Sequence, residues 1–147
     1  HTLEAFGDDV GKNPASDATL PTQVAGLPNL QIESVACGSH HTAALMEDGS
    51  IWAVGISADE KKHIHEPVCI LPPGLMSLPV RQFTAHMDRT TVVSSSGDRV
   101  LHTQLLSDTS FLEDRVFQPV WLDSLIDSGN RIREVHYSWK HSAVWCE

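Results

Sequence analysis

The sequence VACGSHHTAALMEDGSIWAVG, at residues 35–55, is typical of two short β-strands joined by a tight turn. Apolar residues flank the pair Asp48 and Gly49 on both sides. An Asp-Gly pair between apolar runs is a strong hairpin signal, because glycine accepts the positive φ that such a turn demands. We therefore expect Gly49 to have a positive φ. The predicted strands are Ile32–Cys37, Thr42–Met46 and Ile51–Val54.

Weaker copies of this pattern recur on both sides of it, which indicates a repeat protein. Each copy has an apolar strand, a small or polar corner, a basic or imidazole residue followed by a hydroxyl, and a second strand. One unit of a repeat cannot bury its own apolar face, so we expect neighbouring units to stack. The strands start at Ile32, Val80 and Ile132, the basic-hydroxyl pairs are His41-Thr42, Arg89-Thr90 and His141-Ser142, and the preceding prolines are Pro21, Pro67 and Pro119.

The rest of the chain also favours strands and turns. Ser96-Gly97-Asp98 takes the place of the Asp-Gly turn in the next copy. No window holds a sustained helical period, and the best candidate, residues 121–126, is predicted to be a short helix or a turn packed on a sheet. We predict an all-β protein with very little helix. No apolar run approaches ~20 residues, so the sequence predicts no membrane span.

The pattern in residues 35–55 resembles the repeat of the regulator of chromosome condensation family. That repeat has a Gly-x-x-His-Thr strand, an Asp-Gly turn, and an aromatic strand that ends in glycine. The opening LEAFGD at residues 3–8, followed by Pro21, resembles the start of another unit. The residues that carry the repeat signature are Gly38, His41, Thr42, Asp48, Gly49, Trp52 and Gly55.

The resemblance implies a β-propeller of seven blades, each blade a small antiparallel sheet. The three units would be residues 1–47, 48–96 and 97–147, so we expect a partial propeller that is a fragment of a larger ring. The later copies depart from the pattern: Gln104 replaces the strand-ending glycine, and Arg89 replaces the histidine. The third unit is therefore expected to be either a degenerate blade or a differently folded segment.

Charge and cysteine content narrow the class of function. Ten Lys and Arg against 19 Asp and Glu give a net charge of −9, which disfavours binding of nucleic-acid phosphates. The local cations at residues 61–63, 131 and 133 are interpreted as solvated loop positions. Three cysteines do not make a disulfide framework, so we expect a reducing compartment, the cytoplasm or the nucleus. Cys37 and Cys146 are predicted to be small buried groups within strands.

No motif for metal, cofactor or catalysis is complete. Cys37, His40 and His41 have loose zinc spacing, but zinc needs about four ligands. We interpret His41 as a structural residue whose ring bonds a neighbouring backbone group, and His63 and His65 as parts of a solvated loop. The chain has no nucleophile elbow or paired-carboxylate pattern, and its residues 7–13 lack phosphate-loop spacing. We therefore expect no metal, no cofactor and no enzyme activity.

The segment at residues 137–142, with Trp139 and Lys140, is similar to a Gly-Trp-Arg-His-Thr motif of the plant ultraviolet-B photoreceptor in this family. There, tryptophans stacked with arginines sense light. Here the motif occurs once and carries lysine, so we interpret Trp139 as a packing or partner-contact residue.

A binding scaffold is the function that the sequence favours. Rigid strands would present variable loops to a protein partner, through residues 8–20, 56–66 and 105–118. The resemblance also implies two alternatives: guanine-nucleotide exchange on a Ran-type small GTPase, and substrate recruitment in a ubiquitin ligase. The full-length gene would separate these hypotheses. The candidate partner-binding residues are Asp8, Asp9, Lys61, Lys62, His63, Trp139 and Lys140.

Overall fold

Antiparallel strands that follow one another in chain order make up most of the computed structural model. It describes residues 4–7, 18–59, 62–107, 116–138 and 140–147, with backbone only for residues 4–7 and 18–22. The strands are β1 (Glu4–Gly7), β2 (Ala18–Gln23), β3 (Ile32–Cys37), β4 (His41–Met46), β5 (Ile51–Ile56), β6 (His63–Leu71), β7 (Val80–His86), β8 (Arg89–Ser94), β9 (Val100–Gln104), β10 (Ile132–Tyr137) and β11 (Ser142–Cys146), and the helix α1 is Val120–Asp127.

Each sheet is a meander in which sequence neighbours pair. We call β3–β6 blade 1, β7–β9 blade 2 and β10–β11 blade 3, while β1 and β2 form a separate hairpin. The prediction of a mostly β protein is confirmed, and α1 lies where the sequence allows a short helix. No helix in the described part of the chain is long and apolar enough to cross a membrane.

The first two strands of every blade share one register, with a bulge at the same place. Each bulge inserts one unpaired residue directly after the first paired residue of the strand. Because blade 3 has the same register as the others, its two strands correspond to the first two strands of blades 1 and 2. The first pairs are Ile32 with Met46, Val80 with Ser94, and Ile132 with Cys146, and the inserted residues are Glu33, Arg81 and Arg133.

Two of the recurrent prolines also occupy matching positions. Pro21 directly precedes the residue paired with Ala5, and Pro67 directly precedes the residue paired with Ala53. Both lie in irregular stretches of a strand at the edge of its sheet, where a missing N–H is tolerated. The β1–β2 hairpin therefore corresponds to the outer half of a blade. Pro119 differs, since it forms the N-terminal cap of α1.

Two apolar clusters hold the blades together. The first joins blades 1 and 2, and the second joins blades 2 and 3 with the help of Leu122 from α1. Burying one such side chain contributes ~1.5–3 kcal/mol, so stacking of the sheets is the main stabilising contact. In blade 2, α1 follows an outer bridge between His102 and Phe117, at the place where blade 1 has its fourth strand.

Several sequence interpretations need correction. His63 and His65 belong to strand β6 and not to a loop, because β6 begins at His63. Arg133 likewise lies within β10. Cys37 is exposed and Cys146 is half-buried, although both were predicted to be buried. The odd-numbered side chains of β3 point away from the core, which places Cys37 on the open side of its strand.

Candidate protein-binding face

The corners between the first two strands of the three blades meet at one end of the molecule. The backbone N–H of Ser39 in the first corner donates to the carbonyl of Met87 in the second, at 3.1 Å. Residues 86–89, 137–138 and 140–142 line a common cleft, so the third corner lies at the same end. We call this end the corner face, and the opposite end, with the β4–β5 and β8–β9 turns, the turn face.

His41 connects the first corner to blade 2. Its Nδ1 lies 3.2 Å from the carbonyl oxygen of Met87, and its Nε2 lies 2.8 Å from the hydroxyl of Thr90. The ring is only 4% exposed, and burial lowers the pKa of this imidazole. Gly38 is required beside it, because a Cβ there would lie 2.6 Å from the Met87 oxygen. The structure thus supports the interpretation of His41 as a structural residue.

The strand-ending glycine of blade 1 is also explained by the corner. Gly55 has φ +129°, and a Cβ at this residue would collide with the carbonyl oxygen of His40. In blade 2 the corner has Met87 at φ +50°, and Gln104 replaces the glycine. The Gln104 amide donates to the Asp88 carboxylate at 2.7 Å. Gly55 therefore suits the corner of blade 1, and Gln104 suits the corner of blade 2.

The side chain of Gln82 joins blades 2 and 3, because its amide pairs with the backbone of Val135 as a neighbouring strand would. The Gln82 amide donates to the carbonyl of Val135 at 3.0 Å and accepts from the N–H of Val135 at 2.8 Å. His102 of β9 is hydrogen-bonded to the hydroxyl of Tyr137. Burial lowers the pKa of His102 to about 4 and raises the pKa of Tyr137 to about 12. Both contacts fix the third corner relative to the second.

The loop between β5 and β6 lies at the same end of the molecule. The N–H of Ile56 donates to the carbonyl of His40 at 2.7 Å. Ala58 donates to the carbonyl of Leu105 at 2.6 Å, and the Ser107 hydroxyl donates to the Asp59 carboxylate at 2.5 Å. These bonds tie residues 56–59 to the first corner and to blade 2.

Of the candidate partner-binding residues, the structure brings Lys62, His63 and Lys140 to this face. Lys62 and His63 are exposed where the β5–β6 loop enters β6, and Lys140 is exposed in the third corner. The other four candidates, Asp8, Asp9, Lys61 and Trp139, lie outside the described residues.

Sequence reasoning did not select Asp88 and Arg89 as binding residues. Both lie in the second corner, with Arg89 Nε 3.8 Å from the Asp88 carboxylate. The signal was present, since Arg89 departs from the histidine of the repeat. The effect of this replacement depends on the contacts of Arg89 with the neighbouring blade, and the sequence of a single unit does not contain those contacts.

The turn face carries Asp48, Gly49 and Trp52 of the repeat signature. The Asp48 carboxylate accepts from the Ser50 N–H at 2.9 Å and from its hydroxyl at 2.6 Å, which lowers the pKa of Asp48. Gly49 has φ +83°, as the Asp-Gly pair predicts. The Trp52 indole donates to the Ser50 hydroxyl at 3.2 Å. These residues build the turn.

Within the described ranges, no group of three or more His, Cys, Asp or Glu residues is placed to hold a metal ion. His63 and His65 stack with their ring centroids 6.1 Å apart, and no such group in the described ranges includes them.

Meandering antiparallel sheets with a repeated register, stacked on shared cores, define blades of a β-propeller. Models of the regulator of chromosome condensation (RCC1) repeat match residues 7–45 and 32–59. Residues 7–59 therefore carry repeats of the RCC1 type.

Solved structures support the same fold. Human WBSCR16 superposes with a TM-score of 0.66 at 17% identity, over 99% of this chain and 40% of that chain. Yeast RCC1 (Prp20), in a structure with Kap60 bound, gives 0.60 at 16% identity, over 99% of this chain and 37% of that chain. Prp20p from Saccharomyces cerevisiae gives 0.58 at 16% identity, over 91% and 37%. No curated protein matches the chain by sequence.

The chain spans about 40% of the length of these structures.

Proposed function

We propose that this chain is part of a protein-binding propeller whose corner face presents side chains to a protein partner. Hydrogen bonds between blades hold the corners in fixed relative positions, and variable side chains on a rigid base are typical of a binding surface. The free thiols of Cys37, Cys69 and Cys146 fit a partner in the cytoplasm or nucleus.

One observation carries this proposal: a single position in the three corners holds three different charges. The residues there are His40, Asp88 and Lys140, directly before the basic or imidazole residue of each copy. His40 and Lys140 are exposed, and the Asp88 side chain is 36% exposed. The backbone around His40 and Lys140 is fixed by contacts that do not use their charge. Such variation on an equivalent scaffold position favours recognition over folding.

A photo-crosslinking amino acid placed at this position tests the proposal. It would replace His40 or Lys140 in the full chain, with Glu47 and Asp98 of the turn face as control positions. We expect discrete protein adducts, in cells, from the corner positions and none from the controls. Adducts of the same proteins from both faces, or from the turn face alone, would contradict the proposal.

Protein binding is also described for one of the similar structures, since Prp20p was studied together with its binding properties to Gsp1p and histones. At 16% identity this likeness supports the fold alone. Guanine-nucleotide exchange on a Ran-type small GTPase and recruitment to a ubiquitin ligase therefore stay hypotheses for the whole protein. Release of labelled GDP from such a GTPase, measured with and without the full-length protein, tests the first of them.

A further inference from the structure

We propose that the cleft between the second and third corners binds a carboxylate presented by an acidic segment of a protein partner. This proposal rests on the proposed function, since it names the chemistry recognised on the corner face. The cleft has a volume of about 390 Å³. That is within the range of small-ligand pockets, ~300–1,000 Å³, and is ample for an Asp or Glu side chain.

The cleft is open because Arg89 takes the place of His41. Between blades 1 and 2, the His41 ring fills the equivalent place and bonds both Met87 and Thr90. Between blades 2 and 3, the Arg89 side chain is 51% exposed. An imidazole thus closes the junction between blades 1 and 2, whereas a guanidinium lines the junction between blades 2 and 3.

The Arg89 guanidinium has capacity for a further acceptor. In the part of the chain that the structure describes, its ion pair is the 3.8 Å contact with Asp88. The Asp88 carboxylate already accepts from the Gln104 amide at 2.7 Å. Because a guanidinium offers five donors in a planar fork, it binds a carboxylate best through two parallel hydrogen bonds. A ligand carboxylate would accept two parallel hydrogen bonds from Arg89, which Asp88 does not.

The rest of the lining suits an anion. Lys140 adds a second cation across the cleft, and Ser138 and Ser142 add hydroxyl donors. Asp88 is the acidic residue of the lining, and the Tyr137 hydroxyl is already bonded to His102. The local charge is therefore positive even with the lining imidazoles of His86 and His141 neutral.

The net charge of −9 sets the kind of anion that fits. A polyanion such as a nucleic acid would meet repulsion over a long stretch, whereas a short segment with one buried carboxylate would not. Charges more than about 8 Å away are largely screened at physiological salt, so Arg89 and Lys140 dominate at contact. This argument favours an acidic peptide over a nucleic acid.

The test uses labelled hexaglutamate as a probe of the full chain, with hexalysine and hexathymidylate as comparison ligands. We expect hexaglutamate to shift the amide signals of Arg89, Ser138 and Lys140, and R89Q to weaken its binding about tenfold or more. D88N should strengthen binding, because it removes the competing carboxylate. R131Q is the matched control, since it removes one exposed cation on the turn face.

Circular dichroism melts establish that each variant is folded. Equal weakening by R89Q and R131Q, or tighter binding of hexathymidylate than of hexaglutamate, would overturn the proposal. The outcome is separable from that of the proposed function. Adducts from His40 and Lys140 together with unchanged binding in R89Q would reject the carboxylate site and leave the binding face standing. Arg89-dependent binding of hexaglutamate without any adducts would reject the binding face and leave the carboxylate site standing.

Discussion

The imidazole of His41 lies 2.8 Å from the hydroxyl of Thr90, and this contact joins two blades at their corners. The residues are 49 positions apart in sequence. A residue of the repeat signature therefore has its partner in the next repeat. The signature describes a junction as well as a blade.

Replacing His41 by alanine should destabilise the protein by ~2–4 kcal/mol. The change leaves the buried Thr90 hydroxyl without this partner and creates a cavity at the junction. Denaturant unfolding measures the loss. His141→Ala is the matched control, because His141 is exposed at the equivalent position and should cost less than ~0.5 kcal/mol. Similar losses in both variants would show that the junction contact is not what makes His41 important.

Gly55→Ala should cost more than ~2 kcal/mol, since the new Cβ both strains a backbone with φ +129° and collides with the His40 carbonyl. Gly74→Ala separates these two effects. Gly74 has φ +88° but nothing within 4 Å of its Cβ position, so it should show the strain alone, ~1 kcal/mol. Thermal melts of the two variants check the difference, and equal costs would argue against the corner collision.

Acidification from pH 7 to pH 4 should destabilise the protein through His102. Burial lowers the pKa of His102 to about 4, whereas an unfolded histidine has a pKa of ~6.5. The unfolded chain binds more protons between these values, so stability falls as the pH falls, by at most about 3 kcal/mol.

Unfolding curves across this pH range measure the slope. His102→Phe should flatten it, although His41 contributes in the same direction because its pKa is also lowered. A slope unchanged in His102→Phe would mean that other groups carry the pH dependence.

Gln82→Glu should loosen blade 3. A carboxylate accepts but does not donate, so the Val135 carbonyl loses its donor, at a cost of ~1–3 kcal/mol. Hydrogen exchange is expected to be faster across β10 and β11 and unchanged in blade 1. Glu134→Gln, at the corresponding position of blade 3, serves as the control and should leave exchange unchanged. Uniform acceleration in all blades would point to global destabilisation instead.

Local chemistry made much of the fold predictable. Asp48 and Gly49 determine a turn within four residues, and the two strands that flank this turn follow from it. The copies at Ile32, Val80 and Ile132 were aligned correctly because each starts a strand of the same register. The bulges were not predicted, although an inserted residue shifts the period-two alternation of a strand: the apolar pairs Ile32/Val35, Val80/Phe83 and Ile132/Val135 are each three residues apart.

The candidate site was less predictable, because its contacts cross between blades. Lys62 and Lys140 were selected as exposed cations, which composition alone supports. Arg89 was noticed only as a departure, since its neighbours in the cleft lie about 50 residues further along the chain. The outer bridge of blade 2 at Phe117, followed by α1, was likewise not predicted. Apolar residues near Trp121 suit a short helix and a packed turn equally.

The recurrent bulge limits which blades are interchangeable. Arg81, the inserted residue of blade 2, reaches the carbonyls of Ile132 and Ser95 and lies 3.3 Å from the Glu147 carboxylate. The inserted residue of blade 1 is Glu33. A transplant of blade 1 into the place of blade 2 would bring two carboxylates together at that junction. Each blade is therefore matched to the one that follows it, and their order along the chain is part of the structure.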